Sequence, residues 1–136
     1  MATQGNQLGP GGRSPLQRVL IISEMPYQAL TLQRLFAELG SEATLAVGEE
    51  AGLVSLSLRY YDAVVIDVDM GYRVVGDLMQ RLRRDHPGSE VAIMVGWWDE
   101  RAVEMRSYSD VLICKPAHPQ QLRDALGHRL AAPFLV

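Results

Sequence analysis

The chain is poor in cysteine and lysine and has no long apolar run. One cysteine among 136 residues excludes an intramolecular disulfide. No apolar run reaches the ~18 residues that a membrane-spanning helix needs. Sixteen acidic residues outnumber 13 basic ones, for a formal net charge of −3 at pH 7, which argues against a surface built for nucleic acid. We therefore expect a cytoplasmic protein with neither nucleic acid nor membrane as a partner.

The sequence also lacks two common motifs, one for phosphate binding and one for nucleophilic catalysis. The turn after the first apolar run reads SEMPYQ and has no glycine, so no glycine-rich phosphate loop is present there. No Ser–His–Asp arrangement is recognisable either. Lysine itself is nearly absent, because 12 of the 13 basic residues are arginine and only Lys115 is lysine. The position that keeps a lysine is therefore a candidate for a specific role.

The length predicts a single domain with short flanking segments. Residues 1–16 contain four glycines and two prolines and little apolar content, so we predict a flexible N-terminal segment there. That stretch also lacks the apolar core of a signal peptide. We predict one folded domain over residues 17–131 and a short C-terminal tail over residues 132–136.

Short apolar runs alternate with helical patterns from residue 18 onward. The runs predict five strands, at Val19–Ile22, Ala43–Val47, Asp62–Val68, Glu90–Gly96 and Val111–Cys114. Amphipathic stripes predict helices between them and after the last, with apolar positions that include Leu32, Leu35, Leu53, Leu56, Val75, Leu78, Met79, Leu82, Leu122 and Leu126. This alternation predicts an α/β fold, a doubly wound five-stranded parallel sheet with helices on both faces.

Charged side chains follow three of the predicted strands. Ser23 and Glu24 end the first strand, Asp67 and Asp69 the third, and Lys115 follows the fifth. Sites in doubly wound folds lie at the carboxyl ends of the strands, so we expect these residues to share one crevice. Such a cluster can hold Mg²⁺ through oxygen ligands or place Lys115 against a phosphoryl oxygen.

Three segments together resemble the response-regulator receiver domain, which has a flavodoxin-like fold. VLIISEMP, VVIDVDMG and ICKPAHPQQL stand in the order and context of that family's motifs, and the resemblance covers about residues 17–131. It implies that Asp67 is the phosphoacceptor position, that Lys115 is the phosphate-contacting lysine, and that a histidine kinase is the phosphoryl donor. It also implies a Mg²⁺ held by an acidic pair.

The chain departs from that family at the residues that work with the phosphate. The acidic-pair positions hold Ser23 and Glu24, and the switch positions hold Gly96 and Leu112 instead of a hydroxyl residue and an aromatic residue. Lys115 lies only 19 positions after Gly96, so the fourth helix is expected to be short or irregular. These losses favour an atypical member, a pseudo-receiver that acts mainly through protein–protein contacts, with Asp67 phosphorylation lost or vestigial.

No catalytic residue and no cofactor are expected. Mg²⁺ binding would be weak, with Glu24, Asp67 and Asp69 as weak candidate ligands. The alternative interpretation of Asp67 and Lys115 is a structural ion pair that closes the crevice. Glu24 and Asp69 have the alternative of stabilising the start of the first and third helices.

Other functions stay open at this stage. The first is a phosphoacceptor receiver with unusual use of Mg²⁺. A remote one is a phosphatase, since Asp67–Val68–Asp69 has the D-x-D pattern of haloacid-dehalogenase-type enzymes. Another possible function is a nucleotide-binding module in which arginine side chains bind the phosphates.

The candidate partners are a histidine kinase or another signalling protein, and a homodimer through the fourth helix, fifth strand and fifth helix. Trp97 and Trp98 follow the fourth predicted strand and are candidate interface residues, because tryptophan is enriched among interface anchors. The alternative is that both pack over the edge of the sheet.

Overall fold

A computed structural model describes residues 18–95, 109–115 and 118–121 of the chain. Five strands form one parallel sheet: β1 Arg18–Ser23, β2 Glu42–Val47, β3 Ala63–Asp67, β4 Glu90–Val95 and β5 Val111–Cys114. Their order in the sheet is β2-β1-β3-β4-β5. The strand order reverses between β1 and β3, which in doubly wound sheets is where a crevice opens at the carboxyl ends.

Three helices connect the first four strands: α1 Pro26–Glu38, α2 Glu49–Leu58 and α3 Tyr72–Asp85. A short 3-10 helix, Val68–Met70, lies between β3 and α3. α1 begins at a proline, whose fixed φ suits a first helical residue. It is followed by Gly40 with a φ of 91°, a left-handed conformation that glycine adopts at little cost.

Both faces of the sheet are buried, because alternate residues of each strand enter opposite cores. One core contains residues of α2 and α3 together with Leu20, Ile22, Val64, Ile66, Val91 and Ile93. The other contains residues of α1 together with Val19, Ile21, Val65, Ala92, Met94 and Ile113. α1 therefore lies on one face and α2 and α3 on the other, which confirms the predicted doubly wound arrangement.

The observed elements differ from the sequence expectation mainly at strand ends. β3 stops at Asp67 and does not include Val68. The backbone N–H of Asp69 donates to Oδ1 of Asp67 at 3.0 Å, and this turn directs the chain away from the strand. Gly96, the fourth helix, most of the last helix, and the predicted segments 1–16 and 132–136 lie outside the described residues. Within the described part, no helix has the length and apolarity needed to cross a membrane.

Candidate functional site

The site lies at the carboxyl ends of β1, β3 and β5. β4 separates β3 from β5, and neighbouring strands lie about 4.8 Å apart, so a group on β5 must reach about 10 Å to meet one on β3. The long side chain of Lys115, which directly follows β5, makes this reach. Its Nζ lies 2.7 Å from Oδ1 of Asp67. The structure therefore brings together the two residues that the sequence placed at these strand ends.

Both carboxylate oxygens of Asp67 are engaged within the chain. The residue is fully buried at the end of β3. Oδ1 accepts the backbone N–H of Asp69 as well as pairing with Lys115. Oδ2 accepts the hydroxyl of Ser23 at 3.0 Å. A buried carboxylate is tolerated only when such partners replace its hydration, and Asp67 has three.

The ammonium of Lys115 contacts a second carboxylate. Its Nζ lies 2.6 Å from Oδ2 of Asp69, and the lysine side chain is only 10% exposed. Burial disfavours the charged form, but hydrogen bonds to Asp67 and Asp69 and their negative charges outweigh this and raise the pKa of Lys115 above its ordinary value. Lys115 is therefore a cation at neutral pH, held between one buried and one exposed anion.

Ser23 has a role that the sequence did not reveal. Its hydroxyl donates to Asp67 and accepts the backbone N–H of Met25 at 2.9 Å, at the residue before α1. Its carbonyl accepts the N–H of Gly48 at 3.1 Å. Ser23 thus ties the start of α1 and the end of β2 to the acceptor position. Its place at the end of a strand that is buried from Val19 onward was the available signal, because a polar group there needs an internal partner.

The described carboxylates do not fit a Mg²⁺ site. Mg²⁺ needs near-octahedral oxygen coordination, and Asp67 and Asp69 already bind the ammonium of Lys115. Ser23 offers a neutral hydroxyl where a carboxylate would be needed, and Glu24 is exposed. Among the described residues, no three His, Cys, Asp or Glu side chains are grouped so that they could hold a metal. Within the described part of the chain, Lys115 is the cation that contacts the carboxylates of Asp67 and Asp69.

The helix-start interpretations of Glu24 and Asp69 receive no support from the geometry. α1 follows Met25 and α3 follows Gly71, and neither start has a capping hydrogen bond from a side chain. For Asp69 the interpretation is wrong, since two residues lie between it and Tyr72, the first residue of α3, and its carboxylate binds Lys115.

The remaining predicted positions lie apart from the carboxylate cluster or outside the described residues. Leu112, at the predicted aromatic switch position, is partly buried and packs against the core beneath α2 and α3. Gly96, Trp97 and Trp98 are outside the residues that the structure describes, so their predicted roles stay predictions.

The fold matches solved receiver domains, although no protein-family model and no curated protein matches the chain. A receiver domain from Methylobacillus flagellatus is 26% identical with a TM-score of 0.69, covering 80% of this chain and 94% of that one. The receiver domain of the Francisella response regulator 1452 is 27% identical with a TM-score of 0.66, covering 78% and 89%. A putative pilus assembly protein from Burkholderia thailandensis is 23% identical with a TM-score of 0.67, covering 80% and 93%. This chain therefore has the fold of response-regulator receiver domains.

Proposed function

We propose that this receiver domain signals mainly through protein–protein contacts and that phosphorylation of Asp67 is lost or vestigial. The observation that carries the proposal is the closed environment of Asp67. An acyl phosphate forms when a carboxylate oxygen attacks phosphorus. Oδ1 is engaged by both the Asp69 N–H and Lys115, so attack by Oδ1 would require one of these contacts to break, and attack by Oδ2 would be confined to the lone pair that the Ser23 hydroxyl leaves.

The charge balance of the crevice also supports the proposal. Lys115 carries one positive charge and lies against two carboxylates, Asp67 and Asp69, so the cluster is already net negative. A phosphoryl group would add negative charge. Ser23 is neutral and provides no carboxylate to bind a cation that would offset this charge. The resemblance to receiver domains implies a Mg²⁺ that offsets such charge, and we propose that this chain uses no such cofactor.

The partner that we propose is a histidine kinase or another signalling protein in the cytoplasm. We propose no catalytic activity for the chain itself. The D-x-D phosphatase alternative needs Asp69 as a proton donor and acceptor, and its Oδ2 is instead bound to Lys115 at 2.6 Å.

One observation favours the alternative of a phosphoacceptor. Asp67 and Lys115 stand 2.7 Å apart at the carboxyl ends of β3 and β5, so the acceptor and the lysine that would contact its phosphate are both in reach. Beyond this pair, the alternative needs Mg²⁺ coordination that Ser23 does not supply.

Beryllofluoride, which mimics a phosphoryl group on aspartate, separates the two functions. Titration with beryllofluoride and Mg²⁺ is followed by two-dimensional ¹⁵N NMR on the full chain and on the Asp67→Asn variant, with a phosphorylatable receiver domain as positive control. The proposal predicts no shift at the amides of Asp67, Asp69 and Lys115 beyond that in Asp67→Asn. Saturable shifts at these amides that Asp67→Asn lacks would overturn it.

A further inference from the structure

Asp69 places its carboxylate on the solvent side of the Lys115 ammonium. Oδ2 of Asp69 lies 2.6 Å from Nζ of Lys115, and the side chain of Asp69 is 55% exposed. Asp67, the other partner of the ammonium, is fully buried, and the lysine side chain itself is only 10% exposed. An anion that approaches Lys115 from solvent therefore meets the carboxylate of Asp69 first.

The turn after β3 fixes where Asp69 lies. Its backbone N–H donates to Oδ1 of Asp67 at 3.0 Å, within the 3-10 helix Val68–Met70. Met70, the next residue, is buried in the core that contains residues of α2 and α3. The backbone of Asp69 is thus held on both sides, and only its short side chain is left to orient. The contact with Lys115 therefore joins a fixed turn after β3 to the end of β5.

Asp69 makes the kind of bond with Lys115 that an oxyanion would make. A lysine ammonium has three N–H donors, and both Asp67 and Asp69 contact it. A phosphate oxygen forms the same charge-assisted hydrogen bond with an ammonium as a carboxylate oxygen does. A group on the same chain competes at an effective concentration on the order of millimolar or more. The two carboxylates also leave the cluster net negative, which repels a second anion.

We propose that the Asp69–Lys115 pair is an autoinhibitory contact, in which the Asp69 carboxylate occupies the ammonium and keeps oxyanions out of the crevice over Asp67. This role of Asp69 rests on the proposed function and deepens it, because it names the group that competes with a phosphate for the lysine. Asp69 is a positioning residue, since it acts through Lys115. Without its carboxylate, the ammonium keeps one anionic partner and can bind an oxyanion such as inorganic phosphate.

Phosphate binding by Asp69→Ala tests this role. The full chain is titrated with inorganic phosphate in the presence of EDTA and at constant ionic strength, and the amides of Asp67 and Lys115 are followed by two-dimensional ¹⁵N NMR. Asp69→Ala should bind phosphate about tenfold more tightly than wild type, or better, because a hydrogen bond to the ammonium becomes available. Asp77→Ala is the matched control, since it removes the same charge from an exposed position on α3.

Two further variants separate the charge of Asp69 from the space that it fills. Asp69→Asn keeps the shape of the side chain without its charge and should bind phosphate more tightly than wild type. Asp69→Glu keeps an anion at this position and should bind phosphate as weakly as wild type does. Circular dichroism verifies that each variant folds.

Chemical modification locates the bound phosphate on the ammonium. Lys115 is the single lysine of the chain, so acetylation of its peptide by an N-hydroxysuccinimide ester, measured by mass, reports one side chain. In Asp69→Ala, saturating phosphate should slow this acetylation several-fold, and chloride at the same ionic strength should not. In wild type, phosphate should leave the rate unchanged.

Equal phosphate affinities for Asp69→Ala and Asp77→Ala, or acetylation of Lys115 that phosphate does not slow in Asp69→Ala, would overturn the autoinhibitory role. These measurements use no phosphoryl donor, beryllofluoride or Mg²⁺, so that result would leave the proposal for Asp67 untouched. A beryllofluoride response of wild type that Asp67→Asn lacks would instead overturn the proposed function, so the two failures are distinct.

Discussion

The ammonium of Lys115 lies between two carboxylates, 2.7 Å from Oδ1 of Asp67 and 2.6 Å from Oδ2 of Asp69. Asp67 is fully buried, while the side chain of Asp69 is more than half exposed. The lysine thus joins an anion inside the sheet to an anion at its surface. Lys115 therefore compensates the buried charge on Asp67 from within the chain.

Removal of Lys115 should strongly destabilise the fold. Lys115→Met leaves the buried carboxylate of Asp67 without its cation, and breaking a buried pair in this way costs about 3 kcal/mol or more. Urea unfolding at pH 7, followed by circular dichroism, measures the change in the free energy of unfolding. The control is Arg84→Met, because Arg84 pairs with Asp85 on the exposed surface of α3 and its loss should have little effect.

A double variant separates the charge effect from the loss of packing. Asp67→Asn with Lys115→Met removes both charges and leaves an amide that can still bond to Ser23. The double variant should therefore be more stable than Lys115→Met alone. If the urea midpoint of unfolding is the same for Lys115→Met and wild type, the Asp67–Lys115 pair does not stabilise the fold.

The raised pKa of Lys115 predicts a loss of stability at alkaline pH. A lysine whose pKa is higher in the folded state contributes stability that is fully present below its unfolded value of about 10.4. That contribution falls as the pH rises past this value and through the folded pKa. The difference in unfolding free energy between wild type and Lys115→Met should therefore be constant from pH 7 to about 10 and then shrink. A difference that grows above pH 10 would contradict the assignment.

Loss of the Ser23 hydroxyl should also destabilise the fold. Ser23→Ala leaves Oδ2 of Asp67 and the N–H of Met25 without a partner, and an unsatisfied buried polar group costs about 1–3 kcal/mol. Thermal unfolding measures the effect. Thr31→Ala is the control, because the hydroxyl of Thr31 bonds to the carbonyl of Tyr27 on the exposed surface of α1. Equal melting temperatures for Ser23→Ala and wild type would refute a bonding role for Ser23.

Two helical glycines should respond in opposite ways to alanine. A Cβ at Gly52 would lie 2.7 Å from Cδ1 and 3.0 Å from Cγ2 of Ile22, which is fully buried. Overpacking of this kind costs about 1–3 kcal/mol and should exceed the helix propensity gained. At Gly76 in α3 a Cβ meets no atom within 4 Å, so Gly76→Ala should stabilise the fold by about 0.5–1 kcal/mol. Paired urea unfolding curves test both, and a stabilised Gly52→Ala would show that α2 can move away from Ile22.

The periodic spacing of apolar residues predicted most of the fold. The apolar stripe predicted for the third helix, Val75, Leu78, Met79 and Leu82, is the buried face of α3. Continuous apolar strands predicted a sheet covered on both faces, because only such strands can bury alternate residues in two cores. The rule that sites lie at the carboxyl ends of parallel strands placed Asp67 and Lys115 in one crevice.

The details of the site depended on short-range geometry that a pattern does not encode. Ser23 was interpreted as a missing carboxylate, but whether its hydroxyl reaches Asp67 depends on the register of β1 against β3. Asp69 was interpreted as a residue that stabilises the start of the third helix. The 3-10 turn after β3 instead brings its carboxylate to Lys115.

An attempt to phosphorylate the chain tests most directly whether Asp67 accepts a phosphoryl group. The full chain is incubated with acetyl phosphate and Mg²⁺, and its intact mass is measured beside the Asp67→Asn variant and a phosphorylatable receiver domain. We predict that wild type and Asp67→Asn stay equally unmodified under conditions that fully modify the positive control. A phosphoryl adduct on wild type that is absent from Asp67→Asn would contradict the account.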